Sequence, residues 1–224
     1  MGLALSHLSK KEIIYRATHR CRHYHTYLEH PDCRLTEDPQ PERIGFLDIE
    51  SSALEATFGM VLCYAILDDA TGKIYKKSIT PTEVRKKNIR DRNVIVQCIQ
   101  DMNQFDRLIT FRGTKFDLPF LRTRAGIWNL EFPRFGEIKH QDIYYILKFK
   151  FRFPWGKNSL EYACRVLLGE SHKTHQVPSD WLSAMQGDSK AIKYIVDHCI
   201  ADVRETQRLY RAIVKYARAK NTSI

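Results

Sequence analysis

The run IGFLDIE, residues 44–50, sets two acids inside an otherwise apolar stretch. Its length and apolar character predict a buried strand. Asp48 and Glu50 stand two residues apart, so both side chains leave that strand on one face, roughly 6.5 to 7 Å apart. Burying two carboxylates in an apolar strand is costly unless cations neutralise them, so the motif argues for divalent metal at this point. A strand end that simply exposes both acids to water is the plainer alternative.

The surrounding chain predicts a layered domain built on this strand. TFGMVLCYAIL and KIYKKSI read as the next two strands, joined by the turn DDATGK. DRNVIVQCIQDMNQF has helical spacing, DRLITF is a fourth strand, and FDLPFLRTRAG is a helix ending at Gly126. QDIYYIL and SLEYACRVLLG follow as helices, with KFKFRFPWGK extended between them. A final helix over about 188 to 219 carries an apolar stripe at Ile192, Ile195, Val196, Cys199, Val203, Tyr210 and Ile213. The order predicts an α/β fold, a mixed sheet flanked by helices. With 224 residues and 43% hydrophobic content, such a sheet can be fully covered.

Ahead of this domain lies a segment of different character. The polar linker TEDPQPE predicts a boundary between 36 and 43, separating a helical Cys/His-rich segment, 1–40, from the main domain, 41–224. Ser9 and Glu12 have capping-box spacing, which predicts a helix start. Cys21, His25, His30 and Cys33 supply two sulfurs and two nitrogens, a set that one structural zinc accepts. His19 and His23 are rival ligands, and a basic histidine-rich helix without metal is the alternative. Cys63, Cys98, Cys164 and Cys199 sit among apolar neighbours and read as small buried hydrophobes. Six cysteines in so long a chain do not make a disulfide scaffold.

Lysine and arginine outnumber aspartate and glutamate by 36 to 26, a formal charge of +10 that favours a nucleic-acid partner. No apolar run approaches the roughly 18 residues of a membrane span, and MGLALSHLSK lacks a secretory apolar stretch. A cytoplasmic or otherwise intracellular protein without a membrane partner is expected.

Two further acids complete the pattern. Asp117 follows the fourth strand near a helix start, and Asp202 lies on the last helix with His198 one turn before it. Singly, each reads equally well as a helix cap or a surface acid. Together with Asp48 and Glu50 they form a set able to converge, as two-metal phosphoryl hydrolysis requires, where one ion activates water and the other stabilises the leaving oxygen. His198 is placed to accept the proton of that water. A helix histidine bonded to a nearby carboxylate is the alternative.

FLDIESSAL, TFRGTKFDLPFL and HCIADVRETQRLY resemble the three exonuclease motifs of the DEDD group in the ribonuclease H-like superfamily. The pattern is most similar to the DEDDy type of family B DNA polymerase proofreading domains and of YprB-like proteins, over residues 44 to 215. The resemblance implies a ribonuclease H-like fold holding two Mg2+ or Mn2+ on Asp48, Glu50, Asp117 and Asp202. It also implies 3′-to-5′ exonuclease action on single-stranded DNA or RNA ends, with Leu54 in the place of the leucine that wedges beside the terminal base. Read without the resemblance, Leu54 is an ordinary core or turn leucine. Arg112 stands where the motif usually has asparagine and joins the candidates for contacting substrate. His198 stands where the DEDDy pattern has tyrosine, and Asp197 occupies the position of the DEDDh histidine. His140 and Asp142 resemble a stretch that precedes the third motif, although Asp142 also reads as a helix cap.

If extended, LKFKFRFPWGK puts Lys148, Lys150 and Arg152 on one face and Phe149, Phe151 and Phe153 on the other. That would pair phosphates with cations and bases with rings, unless the phenylalanines pack on the domain instead. Arg85, Lys86, Lys87, Arg90 and Arg92 read as a solvated basic loop. A noncatalytic nucleic-acid-binding or polymerase-associated module and a structure-selective endonuclease are the competing functions. The intact acid set favours catalysis, because a phosphate-binding surface would gain by losing it.

Overall fold

The computed structural model describes residues 8–38, 42–86, 89–154, 157–174, 177–217 and 222–223. Two short helices, α1 (Lys10–Thr18) and α2 (Pro31–Glu37), precede the sheet. The chain then runs β1 (Ile44–Ser51), β2 (Val61–Asp68), β3 (Ile74–Ser78), α3 (Pro81–Arg85), α4 (Arg92–Met102) and β4 (Arg107–Thr110). It continues through α5 (Asp117–Ile127), β5 (Lys139–Asp142), α6 (Ile143–Lys150), α7 (Leu160–Leu168), α8 (Pro178–Met185), α9 (Ser189–Ile213) and β6 (Thr222–Ser223).

The sheet has the order β3-β2-β1-β4-β5-β6. β1 pairs antiparallel with β2 and parallel with β4, so the acid-bearing strand lies inside the sheet with a neighbour on each side. β2 is apolar almost throughout and every one of its residues is buried, because helices cover both faces. On one face Tyr64 bonds Asp101 of α4. On the other, Cys63 reaches the Ile195 carbonyl and Phe46 packs edge-on against Tyr210, both on α9. Since Phe46, Asp48 and Glu50 alternate onto one face, the acids point toward α9. The apolar stripe of α9 is what seats that helix there, with Ile192, Ile195, Cys199, Val203 and Ile213 all buried. The mixed, helix-flanked sheet expected from the sequence is therefore the fold.

Four elements differ from the sequence reading. QDIYYIL begins as strand β5, whose four residues KHQD are too short and polar to show a period but pair in parallel with β4. KFKFRFPWGK is not extended throughout: α6 continues to Lys150, and only the following residues leave the helix. The helix expected to end at Gly126 continues to Ile127, with the left-handed residue at Asn129 (φ 52°). The last helix stops at Ile213, followed by a 3-10 turn at Val214–Tyr216. α3, α8 and β6 were not expected. Residues 39–41 of the predicted boundary, Lys87, Trp155, Gly156 and residues 218–219 lie outside the described residues. Cys63, Cys98, Cys164 and Cys199 are buried and unpaired, as expected. Among the described residues no helix is long and apolar enough to cross a membrane.

A buried ion pair locks the α4 face. Asp91, fully enclosed, accepts from Arg124 Nη2 at 2.6 Å and Nε at 2.9 Å, from Trp128 Nε1 at 2.8 Å and from the Val61 amide at 2.8 Å. One carboxylate thus ties the entry to α4, the start of β2 and the end of α5. Removing it strands a buried guanidinium, so Asp91→Ala should lower stability by about 3–5 kcal/mol in urea unfolding. Asp91→Ala/Arg124→Met should recover part of that loss. A single-variant loss near the roughly 0.5 kcal/mol of a surface substitution would contradict this account.

Candidate active site

Three elements bring the acids together. β1 presents Asp48 and Glu50 toward α9, and α9 returns His198 and Asp202 from one turn of its buried face. Asp117 opens α5, where the helix N-terminus favours its charge, and its Oδ1 accepts the Ile49 amide at 3.1 Å. Cys199 Sγ contacts the Asp48 carbonyl at 3.4 Å, which sets the distance of α9 from β1. The cleft so formed encloses about 600 Å³ and is lined by all four acids together with Arg112, Lys115 and Lys173.

His198 is completely buried, with Nε2 3.6 Å from Glu50 Oε1 and 3.9 Å from Asp202 Oδ2. Its Nδ1 lies 2.5 Å from Thr174 Oγ1, and Trp181 stands edge-on to the ring. Glu50, His198 and Asp202 each offer a ligand atom within 4.8 Å of the others, spacing that one cation could bridge. Lys173 Nζ bonds Asp202 Oδ2 at 2.6 Å. Asp48 Oδ2, Asp202 Oδ1 and His198 Nε2 are enclosed yet have no hydrogen-bond partner. Buried polar atoms without partners are costly; a divalent cation would satisfy the two carboxylate oxygens, and a water held beside it would give the nitrogen a partner.

The electrostatics agree. Asp48 is half-buried as a residue but its Oδ2 is enclosed; burial, then the charges of Asp117, Asp202 and Glu50, push its carboxyl well above the ordinary range. Burial and the Asp202 charge raise Glu50 to about 8, and burial raises Asp117 to about 7. Burial lowers His198, which keeps the imidazole neutral.

The structure brings Asp48, Glu50, Asp117 and Asp202 to one cleft with His198 buried behind Glu50 and Asp202, and sets Arg112 on the cleft wall with its guanidinium 4.7 Å over the Tyr144 ring. Asp142 also lines the cleft. It caps α6 through the Tyr144 amide and accepts the Arg112 and Thr114 amides at 2.8 and 3.0 Å, holding the loop before Asp117. His140 lies outside the cleft, paired with Thr110 at 2.8 Å. Leu54 is exposed in the loop after β1.

The two-faced strand expected of 148–153 does not form. Lys148, Phe149 and Lys150 sit on the last turn of α6, where successive residues point in different directions, while Phe151 and Phe153 pack against the core. Arg152 is exposed on the extended stretch. Tyr145, on the cleft wall, instead stacks on Phe149 at 6.1 Å. Arg85, Lys86, Arg90 and Arg92 are not among the cleft-lining residues. Sequence reasoning missed Tyr144, Tyr145, Lys115, Lys173 and Thr174. The adjacent tyrosines with Phe149 at i+4 carried a usable signal; Lys173 and Thr174 carried none, because only the fold brings their segment over α9.

The raised carboxyls bind protons more tightly in the folded chain than in the unfolded one, so ionising them costs stability. In metal-free protein that stability is present below the ordinary carboxylate range. It is lost as pH rises through about 7 for Asp117 and about 8 for Glu50. Thermal unfolding in chelator should show Tm falling between pH 5 and 8, with a shallower fall in Asp48→Asn. A flat profile would contradict the buried-charge geometry.

The fold is similar to that of a family B DNA polymerase from the hyperthermophilic archaeon Pyrobaculum calidifontis, with a TM-score of 0.61 and 16% identity. The match covers 79% of this chain and 25% of the polymerase, and at that identity it shows the fold alone. No curated protein matches the sequence. The RNase_H_2 family matches residues 45–214, which take in β1 from its second residue through β5, the acid cluster and all of α9. The chain belongs to the RNase H superfamily.

Proposed function

We propose that this chain is a divalent-cation-dependent nuclease of the DEDD type, hydrolysing phosphodiester bonds from the 3′ end of single-stranded DNA or RNA. The observation that carries this reading is the convergence of Asp48, Glu50, Asp117 and Asp202 in one cleft, with enclosed ligand atoms that lack any partner. Carboxylate oxygens are the donors that Mg2+ or Mn2+ prefers, so those four residues would hold the two ions. When bound, the ions supply Lewis acidity and offset the charge of the phosphate.

The side chains around them do the rest. In the tautomer that donates from Nδ1 to Thr174, His198 presents its free Nε2 between Glu50 and Asp202. A neutral imidazole held so can accept a proton from the attacking water. Arg112 and Lys115, on the cleft wall beside Asp117, bind phosphate oxygens of the incoming strand. Tyr144 and Tyr145 offer rings on which bases stack, a contact worth about 1–3 kcal/mol per base. Leu54, exposed directly after β1, is free to take the wedge role that the motif resemblance implies. A noncatalytic binding module is the weaker reading, since four acids at the centre of the cleft repel phosphate unless cations are present.

The test uses end-labelled single- and double-stranded DNA and RNA with Mg2+ or Mn2+. A one-nucleotide ladder from the 3′ end is expected, lost with chelator and in Asp48→Asn and Asp202→Asn. His198→Ala should slow turnover by about two to four orders of magnitude while cation affinity changes little. Internal cleavage would overturn the exonuclease assignment, and absence of any product with either ion would overturn the nuclease assignment.

A further inference from the structure

The N-terminal segment has an unusual internal architecture for its size. α1 buries none of its residues, and the contacts between α1 and α2 are largely ionic and aromatic. Arg34, almost fully buried, sits 4.8 Å over the Tyr15 ring and 5.8 Å over Tyr27, and meets Glu12 and Asp38. Ser9 caps α1 through the Glu12 amide, but the Glu12 carboxylate turns to Arg16 and Arg34 and does not close the capping box. So small an apolar core is not enough to hold a unit of this length, and such units are usually held by a disulfide or a metal.

Between the two helices the chain makes a compact knuckle. Arg20 and Thr26 bridge in antiparallel fashion around a tight turn closed by the Cys21 and Tyr24 backbone, with Tyr24 in the left-handed region at φ 67°. This turn brings His23 Nδ1 to 3.8 Å from Cys21 Sγ and 3.4 Å from Cys33 Sγ, while His30 Nδ1 lies 3.9 Å from Cys33 Sγ. Ligand atoms of Cys21, His23 and Cys33 all lie within 4.8 Å of one another. Tetrahedral zinc, with bonds of about 2.3 Å to sulfur and about 2.0 Å to nitrogen, separates neighbouring sulfur and nitrogen ligands by about 3.5 Å. The observed spacings bracket that value.

We propose that Cys21, His23 and Cys33 form a structural zinc site that staples α1 to α2, with the fourth position falling to His30, whose Nδ1 lies against Cys33 but outside the three-ligand cluster. The expected set, Cys21, His25, His30 and Cys33, is thereby corrected at one position. His25 stacks on the His30 ring at 4.2 Å, whereas His23 stands between the two sulfurs. The site is remote from the acid cluster. α1 docks through the Lys10 amide on the Gly136 carbonyl and Lys11 Nζ on the Asn103 carbonyl, in the loops that lead into β5 and β4. Those strands begin at the end of the sheet opposite Asp48 and Glu50, so this zinc has a structural role and takes no part in hydrolysis.

The experiment is reconstitution of the reduced full chain with Zn2+ and with Co2+. About one thiolate-ligated ion per chain is expected, seen as zinc by elemental analysis and as a tetrahedral cobalt spectrum with sulfur charge-transfer absorption. That absorption separates the site from the acidic cleft, whose donors are carboxylates and an imidazole. Cys33→Ser and His23→Ala should lose the signal and His25→Ala should keep it. Wild-type protein with no thiolate–cobalt absorption, or a Cys21–Cys33 disulfide in its place, would overturn the site without recourse to any variant. Loss in His25→Ala with retention in His23→Ala would overturn the ligand assignment.

Discussion

Carboxylate repulsion at the middle of the sheet is the constraint around which the sheet and its helices are arranged. Asp48, Glu50, Asp117 and Asp202 share one cleft, and burial raises the first three above their ordinary ionisation range. Charges placed so close in a low-dielectric site must be protonated, paired or bound to cations. Holding them there without collapse needs a rigid frame. β1 supplies it by pairing with β2 on one side and β4 on the other, while the buried stripe of α9 clamps the acid-bearing face. The Asp91–Arg124 lock on the opposite face fixes α4 and α5, and with α5 the position of Asp117.

The groups around the acids moderate that repulsion without abolishing it. Lys173 neutralises one oxygen of Asp202, the N-terminus of α5 favours Asp117, and Asp142 spends its own carboxylate on backbone amides. What is left over is specific: one oxygen each of Asp48 and Asp202, and one nitrogen of His198, all enclosed and without partners. A cluster meant only to stabilise the fold would satisfy those atoms. Leaving them open makes sense if a cation is to meet the two oxygens and a water the nitrogen.

Much of this was legible in the chain because short periods expose it. The two-residue spacing of Asp48 and Glu50 in an apolar run fixes a shared face, and the four-residue spacing of His198 and Asp202 does the same on a helix. Asp117 was legible only as one of the set of acids, since nothing local distinguishes it from a helix cap. β5 escaped notice because a four-residue parallel strand of polar sequence has no period to read. The alternation in 148–153 misled because Lys and Phe in turn suit a strand or the end of an amphipathic helix equally well. Lys173 was invisible, as its partner Asp202 lies 29 residues away. The choice between His23 and His25 depended on a left-handed residue at Tyr24 that sequence alone does not announce.

The most direct measurement is calorimetric titration of Mn2+ into metal-free protein near pH 7, in buffers of differing ionisation enthalpy. The raised carboxyls must give up protons as cations bind, so binding should release at least about one proton per chain, and the release should shrink as pH rises past 8. Asp48→Asn and Asp202→Asn should abolish most of the binding. Absence of Mn2+ binding in the millimolar range, or binding without proton release, would contradict the claim that the cleft is built to hold cations.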